Sequence, residues 1–370
     1  RAPFGSGLGR YCREVVRALH QQHAFDEIVL AGDPAELQPF LRALRAPLRV
    51  IPLGAGRHSP RVPPGSPAIA AQVGRPHVTW FPNWDGAWRT PHAVATIHDL
   101  INLQGGDWRA TLRAAVARAW IQRTVRGSAR LLTVSEQSAR EIVAAFPEAA
   151  GKLTVVPNGV ADFFHDFGAK RSPSAARGAR GAGASNDAGA SHGAAPFLLT
   201  VANKRPHKRL ETAIRAFAQM AAERPSLRLV MVGDRSPHAT VLESLAASLG
   251  VADRIDDREG LNDEQLATLY GNAEALLVPS REEGFGLVAL EAMACGCPVV
   301  AVDRPILREV LGDAAEFVPF DDATAMAAAV RRLSGPDGLR DRLITTGRAR
   351  AADYTWTRTA ERIAGVLQGA

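Results

Sequence analysis

Residues 280–300 read SREEGFGLVALEAMACGCPVV. Two glutamates, Glu283 and Glu291, stand eight residues apart around a Gly-Phe-Gly turn that opens an apolar, helix-forming run. A helix entered through glycine leaves its first backbone N–H groups without intrahelical partners and presents the positive end of its dipole. That combination holds a phosphate without a P-loop. At 1.5 Å rise per residue the second carboxylate lies about 12 Å further along, a span that suits a nucleoside diphosphate with a sugar at one end and a ribose at the other. A plainer reading is a buried helix, LVALEAMA, behind a glycine turn. The surrounding segments bear on the choice.

The chain of 370 residues exceeds the size at which single cores stop growing, roughly 250–300 residues, so two domains are expected. It is 46% hydrophobic and 22% charged, enough to bury real cores, and no apolar run is long enough to span a bilayer. The net charge is +6, but the basic residues are spread out and lack an aromatic platform, which argues against a nucleic-acid binder. Cys12, Cys295 and Cys297 are too few, and too poorly accompanied by histidine, for a metal site; they read as free thiols in a reducing cytoplasm. Arg1 sits in a glycine loop, which suggests that a first strand precedes it.

Apolar runs at 28–31, 48–52, 77–80, 93–97, 131–134 and 153–156 read as buried strands, with helices at 10–20, 108–126 and 135–146. The alternation restarts after residue 195. Strands are expected at 197–202, 227–232, 275–278, 298–302 and 316–318, and helices at 208–222, 240–249, 263–271, 287–295, 323–333 and 356–367. Alternation of this kind predicts doubly wound parallel sheets. Between the halves, residues 169–195 are almost wholly Ala, Gly, Ser and Arg and read as a flexible insert. The expected organisation is a first Rossmann-like domain (1–168), the insert (169–195), a second Rossmann-like domain (196–352) and a terminal helix (353–370) crossing back to the first. Ligands of such sheets bind at the carboxyl ends of the strands, and two sheets facing each other would enclose a cleft.

Residues 201–217, VANKRPHKRLETAIRAF, take a strand into a loop carrying Asn203, Lys204, Arg205, His207 and Lys208 before an amphipathic helix. Cations just past a strand end can neutralise a diphosphate; the other reading is a solvated basic turn. Only four lysines occur in the chain, and two of them fall here, which favours the first reading. No Asp-x-Asp cluster stands at a strand end, and Asp256-Asp257 reads as a surface turn.

The PHKR loop, the EGFGL…LEAMACGCPVV block and Glu309 in ILREVLGDAAEFVPF together resemble the retaining glycosyltransferases of family 4, which have the GT-B architecture. GSGLGRY (5–11), ATIHDLINL (95–103), LLTVSEQSAREI (131–142), VVPNGV (155–160) and YTWTRTAERI (354–363) match further landmarks of that family. The resemblance implies that Lys208, with Lys204 or Arg205, holds the donor diphosphate at the loop begun by Asn203. It places Glu283 near the transferred sugar and has Gly284, Phe285, Gly286 and Leu287 offer backbone amides. Glu291 would accept hydrogen bonds from the ribose hydroxyls. Gly7 and Gly9 would let an N-terminal loop approach the phosphates, and His98 would face the acceptor; a satisfied histidine at a strand end is the bland alternative. The family's chemistry implies a retaining hexosyltransferase, mannosyltransferase-like, whose donor substrate is a nucleotide-diphosphate sugar, with no cofactor and no metal.

The helix at 108–126 carries Trp108, Arg109, Arg113, Arg118, Trp120, Arg123 and Arg126, with Arg130 beyond it, and the first helix adds Arg10, Arg13 and Arg17. Two readings stand side by side: a solvated face on a buried helix, and a basic surface for an anionic membrane. The second would suit a glycan or lipid-linked acceptor and a cytoplasmic enzyme peripheral to the inner membrane face. The competing functional classes are a non-catalytic nucleotide-sugar-binding protein of the same fold and a GT-B nucleotide-sugar epimerase.

Overall fold

Short β-branched and aliphatic runs form every central strand of the protein. The computed structural model describes residues 7–32, 37, 41–42, 48–52, 78–84, 92–103, 108–170 and 195–370. Gly5 and residues 171–194 of the expected insert lie outside them, as do the side chains of Trp108, Arg109 and Arg113. The chain divides into two compact units, Arg1–Gly159 with Trp356–Ala370, and Val160–Thr355.

The first unit contains helix α1 (Gly7–Gln21), a parallel pair β1 (Val29–Gly32) and β2 (Arg49–Pro52), and a parallel sheet of β3 (Thr79–Phe81), β4 (Ala93–Thr96), β5 (Arg130–Thr133) and β6 (Leu153–Val155) in that order. Helices α2 (Trp108–Gly127) and α3 (Glu136–Ala145) connect the last strands. Ala93, Ala95 and Ile97 pack with Leu131, Ile121, Val125, Ile142 and Phe146 in a sealed core. Helix α3 starts where Ser135, fully buried, accepts a hydrogen bond from Ser138 N at 3.0 Å. This N-cap satisfies one of the donors a helix start leaves open.

The second unit runs α4 (Asp162–Ala169), β7 (Phe197–Val201), α5 (Leu210–Glu223), β8 (Arg228–Val232), α6 (Ala239–Ser248), β9 (Ile255–Arg258), α7 (Asp263–Asn272) and β10 (Ala275–Val278). It continues with α8 (Leu287–Ala294), β11 (Val299–Val302), α9 (Pro305–Leu311), β12 (Glu316–Val318), α10 (Ala323–Leu333) and α11 (Leu339–Ala352). Its six strands are all parallel, in the order β12-β11-β10-β7-β8-β9. The chain therefore builds outward from β7 in one direction, then returns to the other side of β7 with β10. The order reverses between β7 and β10, the switch point at which doubly wound sheets bind ligands. The last helix, α12 (Trp356–Gln368), belongs to the first unit, where Trp356 meets Tyr11 edge-on with ring centroids 6.0 Å apart.

One expectation is overturned here. Asp256 and Asp257 lie in strand β9 at the sheet edge and form no surface turn. An edge strand tolerates charge when each charge finds a partner. Asp256 pairs with Arg258, and Asp257 with Lys204 and Arg235.

Candidate active site at the sheet switch point

Two loops leave the carboxyl ends of the adjacent strands β7 and β10, and a single pair of charges joins them. The loop after β7 ends in a one-turn 3-10 helix, Pro206–Lys208, started by a proline whose fixed φ suits a first helical position. The loop after β10 carries Arg281, Glu282 and Glu283. Arg281 N donates to His207 O at 2.8 Å, and Lys208 Nζ lies 2.8 Å from Glu283 Oε1. Lys208 and Glu283 are only 19% and 11% exposed, so the pair sits in a partly desolvated recess. There its charges act more strongly than on an open surface.

Beyond Glu283 the backbone turns sharply. Gly286 adopts φ 91° and ψ 34° as N-cap of α8, and a Cβ there would come within 3.1 Å of Leu307 Cδ2. Glycine removes both the left-handed penalty and that contact. It also supplies no side chain to cap the helix, so the first-turn amides stay available to an anion. Phe285 anchors the turn: it is 5% exposed and meets Tyr354 edge-on at 5.7 Å. Glu291 lies one turn into α8, buried, and accepts from Tyr270 OH at 3.2 Å.

The cations of the β7 loop separate. Lys204 is 2% exposed; its ammonium donates to Gly233 O and lies 2.6 Å from Asp257 Oδ1. Its backbone N donates to Asp234 O at 3.1 Å, and Ser236 Oγ donates to its carbonyl. Lys204 is thus committed to the β8–β9 side of the sheet, which corrects its expected place among the diphosphate-facing groups. A buried ammonium must keep its counter-ion or leave an uncompensated charge in the interior. Asn203 and Arg205 are exposed on the same loop. His207, half-buried beside Lys208, is held below the ordinary histidine range by burial first and by the Lys208 charge second.

In the first unit, Gly7 and Gly9 are not in a loop. Both lie in α1, which starts at Gly7 and not at the expected residue 10. His98 follows β4. Its Nε2 lies 3.0 Å from Pro82 O, and because a carbonyl only accepts, Nε2 carries the proton and Nδ1 keeps its lone pair. Its ring meets Tyr11 edge-on at 4.6 Å. Burial pushes its pKa down to about 4. Thr96 Oγ1 completes the cluster, accepting from Trp80 Nε1 at 3.0 Å and lying 3.2 Å from Tyr11 OH.

The basic stripes are partly consumed inside the unit. Arg13 and Arg17 flank the buried Glu14, Arg126 pairs with Glu148, and Arg118 donates to Ala145 O over the Phe146 ring. Arg123 remains exposed beside Leu112 and Val116, which are 60% and 51% exposed. Among the described residues no helix is long and apolar enough to cross a membrane.

Comparison with known proteins fits this arrangement. The profile described as Glycosyltransferase Family 4 matches residues 5–162, and the one described as Glycosyl transferases group 1 matches residues 186–350. The chain belongs to glycosyltransferase family 4. A D-inositol 3-phosphate glycosyltransferase of Acidothermus cellulolyticus is 32% identical over 298 residues, 76% of this chain and 63% of that protein. An MMP alpha-(1->4)-mannosyltransferase of Mycolicibacterium hassiacum is 33% identical over 297 residues, 75% of this chain and 65% of that one. The chain thus spans under two thirds of the length of either relative. Among solved structures, sucrose-phosphate synthase from Thermosynechococcus elongatus shares 24% identity at a TM-score of 0.73, covering 98% of this chain and 93% of that one. Anabaena Alr3699/HepE, solved with UDP, shares 17% identity at a TM-score of 0.71, covering 100% and 98%. These likenesses establish a shared fold of the GT-B class.

Within this family 4 chain, sequence reasoning selected Lys208 and Glu283, which the fold brings into contact. His207 stands beside Lys208 in the same strand-end loop, and its carbonyl accepts from Arg281 N across to the β10 loop; a histidine set among Lys204, Arg205, Lys208 and Arg209 was signal enough to include it. Tyr270, the donor to Glu291, lies in the last turn of α7, and nothing local marks it.

Proposed function

We propose that the protein transfers a hexose, mannose in the first instance, from a nucleotide-diphosphate sugar to a glycan or lipid-linked acceptor with retention of anomeric configuration. The observation that carries this reading is the Lys208–Glu283 contact at the β7–β10 switch point, beside a helix N-terminus with no side-chain cap. In this reading Lys208 and the exposed Arg205 bind the donor diphosphate, together with the backbone amides of Gly284, Phe285, Gly286 and Leu287. Negative charge grows on that diphosphate as the bond to C1 breaks, and preorganised donors aimed at it lower the barrier. Glu283, released from Lys208 by the incoming phosphate, turns to the hexose hydroxyls; Glu291 serves the ribose.

The acceptor oxygen bonds to C1 on the face that the phosphate leaves, and its proton passes to a departing phosphate oxygen. No side-chain nucleophile is required, and Lys208 with Arg205 carries the neutralisation without a metal ion. His98, with Nδ1 unprotonated, belongs to the acceptor side. The mannosyltransferase and D-inositol 3-phosphate glycosyltransferase relatives support hexosyl transfer to an acceptor; the UDP complex of HepE supports a nucleoside-diphosphate donor. The exposed Leu112, Val116 and Arg123 face of α2 supports peripheral contact with an anionic membrane at the inner face.

A thermal-shift screen with GDP, UDP, ADP and their hexose conjugates tests the donor. A nucleotide that binds only the folded state raises the melting temperature, and the Lys208→Ala variant, which binds more weakly, should show a smaller rise. NMR of the product's anomeric proton then reads the stereochemistry. A product of inverted configuration would overturn the retaining mechanism, and a flat screen would overturn the donor assignment.

A further inference from the structure

Lys208 is followed by two unusual backbone positions that meet in space. Arg209, the next residue and the N-cap of α5, has φ 48° and ψ 40°. Asp321, in the loop after β12, has φ 62°. Neither is glycine, and a left-handed conformation disfavours an L residue with a full side chain, an unbranched Arg more than an Asp. Such positions persist only where the surroundings over-determine them. Here the surroundings are each other: the Arg209 guanidinium pairs with Asp321 Oδ2, while Thr212 Oγ1 donates to Asp321 Oδ1 at 2.7 Å. Thr212 N in turn donates to Arg209 O at 3.0 Å, which closes a ring through the first turn of α5. The Asp321 carboxyl is held below its ordinary range, first by Thr212 and then by Arg209, so it stays charged at neutral pH.

The geometry points to Arg209 and Asp321 as a positioning pair for Lys208, a role that rests on the donor-site reading above. The left-handed turn at Arg209 ends the Pro206–Lys208 3-10 helix and fixes where α5 begins, so it sets the direction in which the Lys208 side chain leaves the backbone. Asp321 holds that turn from the far side of β10 and β11, three strands from β7. Neither residue touches the diphosphate in this scheme; both act by keeping the ammonium 2.8 Å from Glu283 and aimed at the same recess.

A double-mutant cycle on the intact chain tests the assignment, using isothermal titration with whichever of GDP, UDP or ADP the wild type binds. Asp321→Ala should weaken binding about tenfold with Lys208 present and by less than twofold in a Lys208→Ala background, since residues that act as a unit are not additive. Asp321→Asn keeps the Thr212 bond and tolerates the left-handed turn, and should lose only a few-fold. Arg209→Lys keeps the charge pair and should restore binding to within twofold of wild type; Arg209→Ala should not. Circular dichroism establishes that each variant is folded, and if Asp321→Ala does not fold, Arg209→Ala carries the same cycle, with Asp321→Asn as the milder variant. Equal losses in both backgrounds, or wild-type affinity in folded Asp321→Ala, would overturn the positioning role while leaving the donor site standing. Wild-type protein that binds none of the three nucleotides overturns the donor-site reading itself.

Discussion

A histidine that keeps one lone pair free must remain neutral, and His98 is built to do so. Its pKa is pushed down to about 4 by burial, against an ordinary 6.5. Below pH 6.5 the unfolded chain takes up a proton that the folded chain refuses, so stability is lost as pH falls and the loss levels off near pH 4. That single group accounts for about 3 kcal/mol over this window at 1.36 kcal/mol per pH unit. Chemical denaturation at pH 7.5, 6.0 and 4.5 should show the decline in the first unit. His98→Gln, which cannot titrate, should flatten it. The role proposed for His98 came from the letters HDL only through a family likeness; its protonation state was not legible, because it depends on Pro82 and Tyr11, far away in sequence. Lys204 makes the same point in reverse. On the page it looks like a free cation beside Lys208, and only the convergence of Gly233, Asp234, Ser236 and Asp257 shows that its charge is already committed.

Elements were readable where one physical cause dominated. The strands β7, β8, β10 and β11 are apolar runs buried on both faces and could be placed from composition alone. Strand β9, IDDR, escaped because an edge strand carries its polarity in paired charges. Helix α11 escaped because its apolar residues do not fall on one stripe: Leu343 and Ile344 are buried, and Gly347 meets Met293 so closely that a Cβ would lie 3.1 Å from its Cγ. The turn into α8 was legible as glycine-rich, and its geometry gives a prediction. Gly286→Ala places a Cβ at φ 91° within 3.1 Å of Leu307 Cδ2, so it should destabilise the second unit by about 1–2 kcal/mol and weaken nucleotide binding together. Urea unfolding and titration calorimetry on the same preparation check both.

Across the whole molecule, the net charge of +6 is unevenly useful, because many arginines already face acidic partners. Among the described residues, the exposed face of α2 with Leu112, Val116 and Arg123 is the one on which the proposed lipid contact rests. The triple variant Leu112→Ser, Val116→Ser, Arg123→Gln should stop co-sedimenting with phosphatidylglycerol vesicles and keep its melting temperature; unchanged sedimentation removes the membrane assignment. Helix α12 has a different consequence at this scale. Trp356 rests on Tyr11, Gln22 Nε2 donates to Thr357 O at 2.9 Å, and Thr359 Oγ1 donates to Pro157 O at 2.8 Å, so residues made after the whole second unit close the first. During synthesis the half that emerges earliest from the ribosome must wait, with α1 uncovered on one side, until some two hundred further residues have been translated. The half that emerges later has all its parts in unbroken succession and can fold as it is made.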